Sequence, residues 1–282
     1  MNMRNSEILR PGQVKEITSL ANPVVKDIKA LALKKHREET NSFMAEGLKL
    51  VIDALDLGWK LKILVIAKAA LDKPLAAKTT ARAVASGALV LEANEKVIGA
   101  ITRRDNPQGV IGVFEQRWQS LRDLRPGGED VYIALDRVRD PGNLGTILRT
   151  ADAVGAKGII LIGETVDPFS IETVRATMGS VFAVPVARAT EAEFLGFRKS
   201  FRGLVAGTHL LGAVDYRSID YGGKPTLLIM GNEQAGLTEN LAAACDKLIR
   251  IPQEGKADSL NLAVATAVAL YEIRRHALKV LA

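Results

Sequence analysis

The second half of the chain repeats one pattern: a short run apolar at nearly every position, then a segment with helical spacing. The runs are VYIALDRV (131–138), GIILIG (158–163), VFAVPVA (181–187), LVAGTH (204–209), TLLIMG (226–231) and KLIRIP (247–252). A strand without polar alternation must bury both of its faces. Such strands between amphipathic helices predict an α/β fold with a parallel sheet covered on both sides. A long helix is predicted from about 260 to 278, with LAVATAVALY apolar all round. That helix must be buried, either inside the domain or against another subunit.

The first half also alternates. Asn22 and Pro23 open a helix predicted to run to about Arg37, with Val25, Ile28, Leu31 and Ala32 on one face. Strands are predicted at SFMAEG (42–47), LKILVIA (61–67), ALVLEA (88–93) and GVIGVFEQ (109–116), with helices at 48–58 and 94–102. The polar stretch RWQSLRDLRPGGED reads as a linker. The chain of 282 residues is therefore read as three parts: a compact α/β domain at 15–116, a linker at 117–130 and a second domain at 131–282.

Charge separates the halves. Residues 1–129 carry 21 Lys and Arg against 15 Asp and Glu, while 130–282 carry 17 of each, so the net +6 lies in the first half. A basic module beside a neutral one suits an anion-binding domain joined to a chemistry domain, although a merely Lys-rich soluble domain gives the same count. The amino terminus, MNMRNSEILRPGQ, lacks the apolar core of a signal peptide, and no run is long enough to span a membrane. One cysteine, Cys245, and three scattered histidines offer no intrachain disulfide and no zinc spacing, so a cytoplasmic, metal-free protein is expected.

In a parallel α/β sheet, ligands collect beyond the carboxyl ends of the strands. Three loops there are rich in polar residues and glycine. In DRVRDPGNLGTILRTADAVGA (136–156), Asn143 is placed to cap a helix whose buried stripe is Leu144, Ile147, Leu148, Ala151 and Gly155. Arg149 lies about 140° from Leu144 and faces away from that stripe; a solvated arginine fits equally well. In LLIMGNEQAGLT (227–238), a strand runs into Gly231, Asn232 and Glu233, a ligand loop or an ordinary turn. In IPQEGKADSLNLAVATA (251–267), Ser259 is a natural cap and Asn261 sits in the first helical turn, where it meets a ligand or only local backbone. No GxGxxG, GxxxxGK[ST] or GxSxG pattern supports a dinucleotide, a phosphate-loop or a nucleophile-elbow site.

Together and in this order, DPGNLGTILRTADAVGA, GNEQAGL and IPQEGKADSLNLAVATA resemble the SpoU/TrmH family of RNA ribose 2′-O-methyltransferases, within the SPOUT class. The first half, with ITSLANPVVKDIKAL and NPQGVIGVFE, is similar to the substrate-binding domain of many members, itself like small RNA-binding ribosomal proteins. The resemblance implies a small α/β/α RNA-binding domain before a parallel-sheet SPOUT domain with a trefoil knot, a homodimer, and S-adenosylmethionine as donor. The implied reaction is methylation of a ribose 2′-hydroxyl in structured RNA. Ribosomal RNA of the 23S type is favoured over transfer RNA, with a catalytically silent RNA-binding or ribosome-assembly protein as the rival.

By the same resemblance, Arg149 acts at the reacting hydroxyl, with Asn143, Glu233, Ser259 and Asn261 orienting it and the ribose. Thr208, His209, Gly231, Ile251 and Leu260 would hold the donor. Lys34, Lys35, Arg37, Arg103 and Arg104 are the phosphate-contact candidates. Gln234 stands where the family motif usually carries glycine, which leaves the geometry of that loop open.

Overall fold

The computed structural model describes residues 12–104, 106–210, 213–256 and 258–280. Most of the amino-terminal stretch read against a signal peptide, residues 1–11, lies outside them. The chain divides into two units: one ends at Gln116 and also takes in Phe169–Arg175, and the other holds Arg117–Pro168 and the residues from Ala176 onward.

The first unit runs β1 (Val14–Ile17), α1 (Pro23–Ala30), α2 (Lys34–Thr40), β2 (Ser42–Glu46), α3 (Leu48–Asp56), β3 (Leu61–Ala67), α4 (Pro74–Ala85), β4 (Leu89–Ala93), α5 (Glu95–Thr102) and β5 (Val110–Glu115). Its sheet has the order β1-β4-β3-β5-β2, with β5 antiparallel to both neighbours. The predicted helix from Asn22 to Arg37 breaks in two. Asn22 caps α1 as expected, accepting from the Val24 amide, but α1 stops at Ala30 and α2 starts afresh at Lys34. Arg37 explains the break. Its guanidinium is buried and donates to the Leu31 and Ala32 carbonyls at 2.8 and 3.0 Å, among those that the end of α1 leaves unpaired. Sequence reading missed β1, too short and polar to stand out, and α4, an Ala- and Thr-rich helix.

The segment Phe169–Arg175 completes this unit. Phe169 is buried with its ring 4.7 Å from Phe43 and 6.4 Å from Trp59, and Ile171 joins the core cluster of Ile17, Val65 and Ile111. Arg175 donates to the Thr102 carbonyl at 2.8 Å and reaches the buried Glu46 carboxylate at 3.1 Å.

The second unit runs β6 (Val131–Asp136), α6 (Pro141–Ala153), β7 (Gly158–Ile162), the end of α7 (Ile171–Thr177), β8 (Val186–Ala189), α8 (Glu191–Ser200), β9 (Leu204–Thr208), β10 (Val214–Asp215), β11 (Thr226–Met230), α9 (Glu239–Ala243), β12 (Lys247–Arg250) and α10 (Leu262–Ile273). All seven strands pair in parallel, in the order β10-β12-β9-β11-β6-β7-β8. Both faces are buried, as the apolar runs require. Val131, Ile133 and Leu135 point into one core with α6 and α10, while Tyr132 and Ala134 point into another with Phe194 of α8 and Leu241 of α9.

Several expectations are corrected here. VFAVPVA is not a strand throughout: Ser180–Phe182 form a 3-10 turn and β8 begins only at Val186, after Pro185, which has no amide to give a ladder. Asp140, not Asn143, caps α6, and Val154 rather than the exposed Gly155 completes its buried stripe. Gly155 instead takes a left-handed φ of +68° just past the helix end, where a side chain would be strained. Asn261, not Ser259, caps α10, with its side-chain oxygen accepting from the Ala263 and Val264 amides. Within the single chain α10 is not buried all round, because Val264 and Tyr271 are half exposed, which leaves the second alternative, burial against another subunit.

Candidate active site

Strands β12, β9, β11 and β6 are neighbours, so the loops leaving their carboxyl ends meet above one part of the sheet. Asn143, in the first turn of α6, links them. Its amide nitrogen donates to Glu233 Oε1 at 3.2 Å, and its amide oxygen accepts from Asn261 Nδ2 at 2.9 Å. One side chain thus ties together the loops after β6, β11 and β12. The arrangement is directional: an amide offers a donor and an acceptor on one rigid plane, which places Glu233 on one side of Asn143 and Asn261 on the other.

The loop after β11 is closed by its own backbone. Asn232 and Gly236 exchange amide–carbonyl bonds of 3.0 Å, and the Asn232 side-chain oxygen accepts from the Gln234 and Ala235 amides. The left-handed residue is Gly236, at φ +67°, while Gln234 is not among the residues with positive φ. The loop therefore needs no glycine at 234, which closes the question raised by that position. Gly231 is different, since a Cβ there would lie 2.4 Å from the Gly236 carbonyl carbon. The returning chain packs directly on Gly231, and only glycine fits.

Sequence reading missed two supports of this site, Asp136 and Arg137, and gave Asn232 no role beyond its place in the loop. Asp136 ends β6 buried, and Arg137 donates to both of its oxygens at 2.8 Å. That bond with Asp136 raises the Arg137 pKa above the usual arginine value. Arg137 adopts a left-handed φ of +49°, and its carbonyl accepts from Asn232 Nδ2 at 2.9 Å. Asn232 also reaches Glu233 Oε2 at 3.4 Å, so both oxygens of Glu233 face an amide. The available signal was a lone carboxylate ending an otherwise apolar strand.

The remaining predicted residues fall in different places. The His209 amide donates to the Ile249 carbonyl at 3.0 Å, and Thr208 pairs with Ile249. Continuing the registers sets Gly231 beside this strand end, so Thr208, His209, Gly231 and Ile251 share one edge. Among the described residues, no hydrogen bond ties the loop of residues 251–260, and all of them beyond the half-buried Ile251 are exposed, Ser259 and Leu260 included. An exposed, unpaired main chain beside a buried glycine fits a ligand that carries both donors and acceptors, as adenine and an amino-acid group do. Arg149 is exposed on α6 with no ion pair or hydrogen bond among the described residues. It lies six residues beyond Asn143, about 9 Å along the helix, and is not drawn into the Asn–Glu–Asn chain.

In the first unit, Lys34 and Lys35 are exposed, and Lys35 stands 3.9 Å from Glu39. Arg37 is the correction: buried and bonded to carbonyls, it is not placed to grip a phosphate. Arg103 is exposed, and Arg104 lies 3.5 Å from Glu46. Glu46 pairs across to Ile111 at the start of β5, whereas the Arg37 carbonyl meets Gln116 just beyond the end of β5. The two basic groups therefore sit at opposite ends of that strand, roughly 20 Å apart.

Comparison with known proteins gives two family matches: the SpoU rRNA Methylase family over residues 130–271 and the MRM3-like substrate binding domain over 22–112. The chain is 34% identical to a 23S rRNA (guanosine(2553)-2′-O)-methyltransferase of Bacillus subtilis (strain 168), over 93% of this chain and 100% of that protein. It is 32% identical to a 23S rRNA (uridine(2479)-2′-O)-methyltransferase of Streptomyces viridochromogenes, over 87% and 86%. The crystal structure of an AdoMet-bound rRNA methyltransferase from Sinorhizobium meliloti matches with a TM-score of 0.91 and 64% identity, over 94% of this chain and 99% of that one.

Proposed function

Because the chain belongs to the SpoU rRNA methylase family, we propose that it methylates a ribose 2′-hydroxyl in 23S-type ribosomal RNA, with S-adenosylmethionine as donor. The observation that carries this reading is the Asn261–Asn143–Glu233 chain, which joins three strand-end loops into one polar site beside an exposed donor loop.

When bound, the donor supplies a methyl already activated on a sulfonium. The protein must therefore bring a poorly nucleophilic hydroxyl into line and assist loss of its proton. Asn143, fixed by Glu233 and Asn261, orients the ribose, and Ser259 adds a hydroxyl from the exposed loop. Arg149 keeps its charge under nearly all conditions, so it serves better as a grip on the adjacent phosphate, steadying developing oxyanion charge, than as a base. Backbone groups at Thr208, His209, Gly231, Ile251 and Leu260 hold the donor.

Residues 15–116, completed by Phe169–Arg175, form the RNA-selecting module, 117–130 the connection and the rest of 131–282 the catalytic module. Lys34, Lys35, Arg103 and Arg104 are the phosphate contacts of the RNA-selecting module. The placement of β12 between β9 and β10, after β11 has been laid on the other side of β9, agrees with a chain that threads back as a trefoil knot. The exposed apolar residues of α10 suit a homodimer. Among the described residues no helix is long and apolar enough to cross a membrane, and we place the protein in the cytoplasm, where its RNA is.

The test is calorimetric titration with S-adenosylmethionine, followed by labelled methyl transfer into protein-free large-subunit ribosomal RNA. Saturable donor binding with alkali-resistant label supports the reading. Donor binding without transfer to any ribosomal RNA assigns the protein to another RNA, and neither activity assigns it a silent RNA-binding role.

A further inference from the structure

A groove of about 620 Å³ lies in the second unit, away from the loops of the active site. Its lining comes from the connecting segment after Trp118, from β8 and from α8. The segment is held along the edge strand by the Gln119 amide, which donates to the Val186 carbonyl at 2.8 Å.

Four arginines line it: Arg122, Arg125, Arg188 and Arg202. All four are exposed, and none forms an ion pair among the described residues. Arg125 spends its hydrogen bonds on the Arg122 and Leu124 carbonyls. Arg188 stacks on Trp118, its guanidinium carbon 4.9 Å from the ring centre. One carboxylate, Glu193, shares the lining; Thr190 engages it from both backbone and side chain, and it offsets part of the charge of Arg122, leaving the cluster an excess of positive charge. Residues 117–282 carry 20 Lys and Arg against 19 Asp and Glu, so this is a local concentration of positive charge on a nearly neutral stretch of chain. Mutual repulsion among guanidiniums disfavours such a cluster unless an anion is brought to it.

We infer that this groove is a second RNA contact, on the catalytic unit itself, that takes a single-stranded segment of the substrate. The inference rests on the reading above that the substrate is RNA. Guanidiniums match phosphodiester oxygens in bidentate geometry, and the half-buried Phe197 with the Arg188 guanidinium, itself held over Trp118, supplies flat surface for bases. The groove is partly open to solvent, which suits a polymer that enters and leaves better than a small anion held all round.

The test compares the unaltered protein with a variant carrying Arg122→Gln, Arg125→Gln, Arg188→Gln and Arg202→Gln. Binding of a short mixed-sequence single-stranded RNA is followed by fluorescence anisotropy across a salt series. The expected result is an affinity at least roughly tenfold weaker, with a salt slope flattened by about 0.7 for each arginine engaged. Affinity for S-adenosylmethionine stays the same. Arg188→Lys keeps the charge but loses the planar stack, so it weakens binding while leaving the slope near that of the unaltered protein. Unchanged RNA affinity and slope in the four-site variant overturn the inference. So does inorganic phosphate at millimolar concentration that displaces the RNA down to the level of the variant, because that marks a small-anion site. Failure of the underlying methyltransferase reading shows elsewhere, as absent donor binding and methyl transfer by the unaltered protein.

Discussion

Truncating Phe169 to alanine removes a side chain that the sequence places in the catalytic half but the fold places in the other unit. The ring is 1% exposed and packs tilted against Phe43 at 4.7 Å and edge-on to Trp59 at 6.4 Å. Large-to-small changes at such sites cost about 3–5 kcal/mol, from lost burial and the cavity left behind. With a denaturant dependence of about 2 kcal/mol per molar urea for a domain of this size, the unfolding midpoint of the first unit should fall by about 2 M. Trp59 reports on it directly if Trp118 is replaced by phenylalanine, so intrinsic fluorescence in urea is the assay. The second unit, followed by saturation with donor, should be affected far less. A midpoint shift worth under about 1 kcal/mol would mean that Phe169 is not part of that core. The same packing bears on truncation: a fragment starting at Arg117, otherwise equipped with its own sheet and motif loops, leaves Phe169, Ile171 and Val174 without their partners.

Arg149→Ala should abolish methyl transfer while unfolding at the same temperature as the parent protein, since Arg149 is exposed and unpaired among the described residues; near-normal single-turnover rates would remove it from the site. Asn143→Asp sets a second carboxylate against Glu233, where the amide donated at 3.2 Å. Transfer should drop by at least about 100-fold from lost alignment, with partial recovery at acid pH as one carboxylate takes a proton, and a pH-independent loss would argue against the pairing. Burial pushes the Cys245 thiol up to about 12, so at pH 8 the folded protein carries no thiolate there. Alkylation by iodoacetamide should be slow until urea restores a thiol of pKa about 8.5, and rapid labelling of the native protein would contradict this. In sedimentation, the parent should run at about twice its chain mass of 30.3 kDa, and Val264→Glu on the exposed face of α10 should run as a monomer; an active parent monomer would refute the dimer.

The apolar runs from 131 onward announced the parallel sheet because strands buried on both faces leave no alternative pattern, and five of the six runs became strands with little change of boundary. Pro185 defeated the remaining one, VFAVPVA, a case where backbone chemistry outweighs hydropathy. Asn143, Glu233 and Asn261 could be picked out as polar residues at strand ends, but their mutual bonds span some 90 to 118 positions and depend on strand order, which local pattern does not encode. The capping roles were shifted for the same reason: Asp140 and Asn261 win them through loop geometry, not composition. Arg37 was misjudged because a basic run on a helix looks the same whether its side chains meet solvent or cap the preceding helix. Phe169–Arg175 was invisible, since nothing in an FSIETVR segment signals that it completes a core begun more than a hundred residues earlier.

The central claim is ribose methylation directed by the site around Asn143, and nucleotide mapping of ribosomal RNA tests it most directly. Large-subunit RNA from cells lacking the gene should lose 2′-O-methylation at one nucleotide. The intact gene should restore it, and a copy carrying Asn143→Ala, produced at equal level, should not. An unchanged methylation map in the deletion strain, or full restoration by the Asn143→Ala copy, would contradict the account.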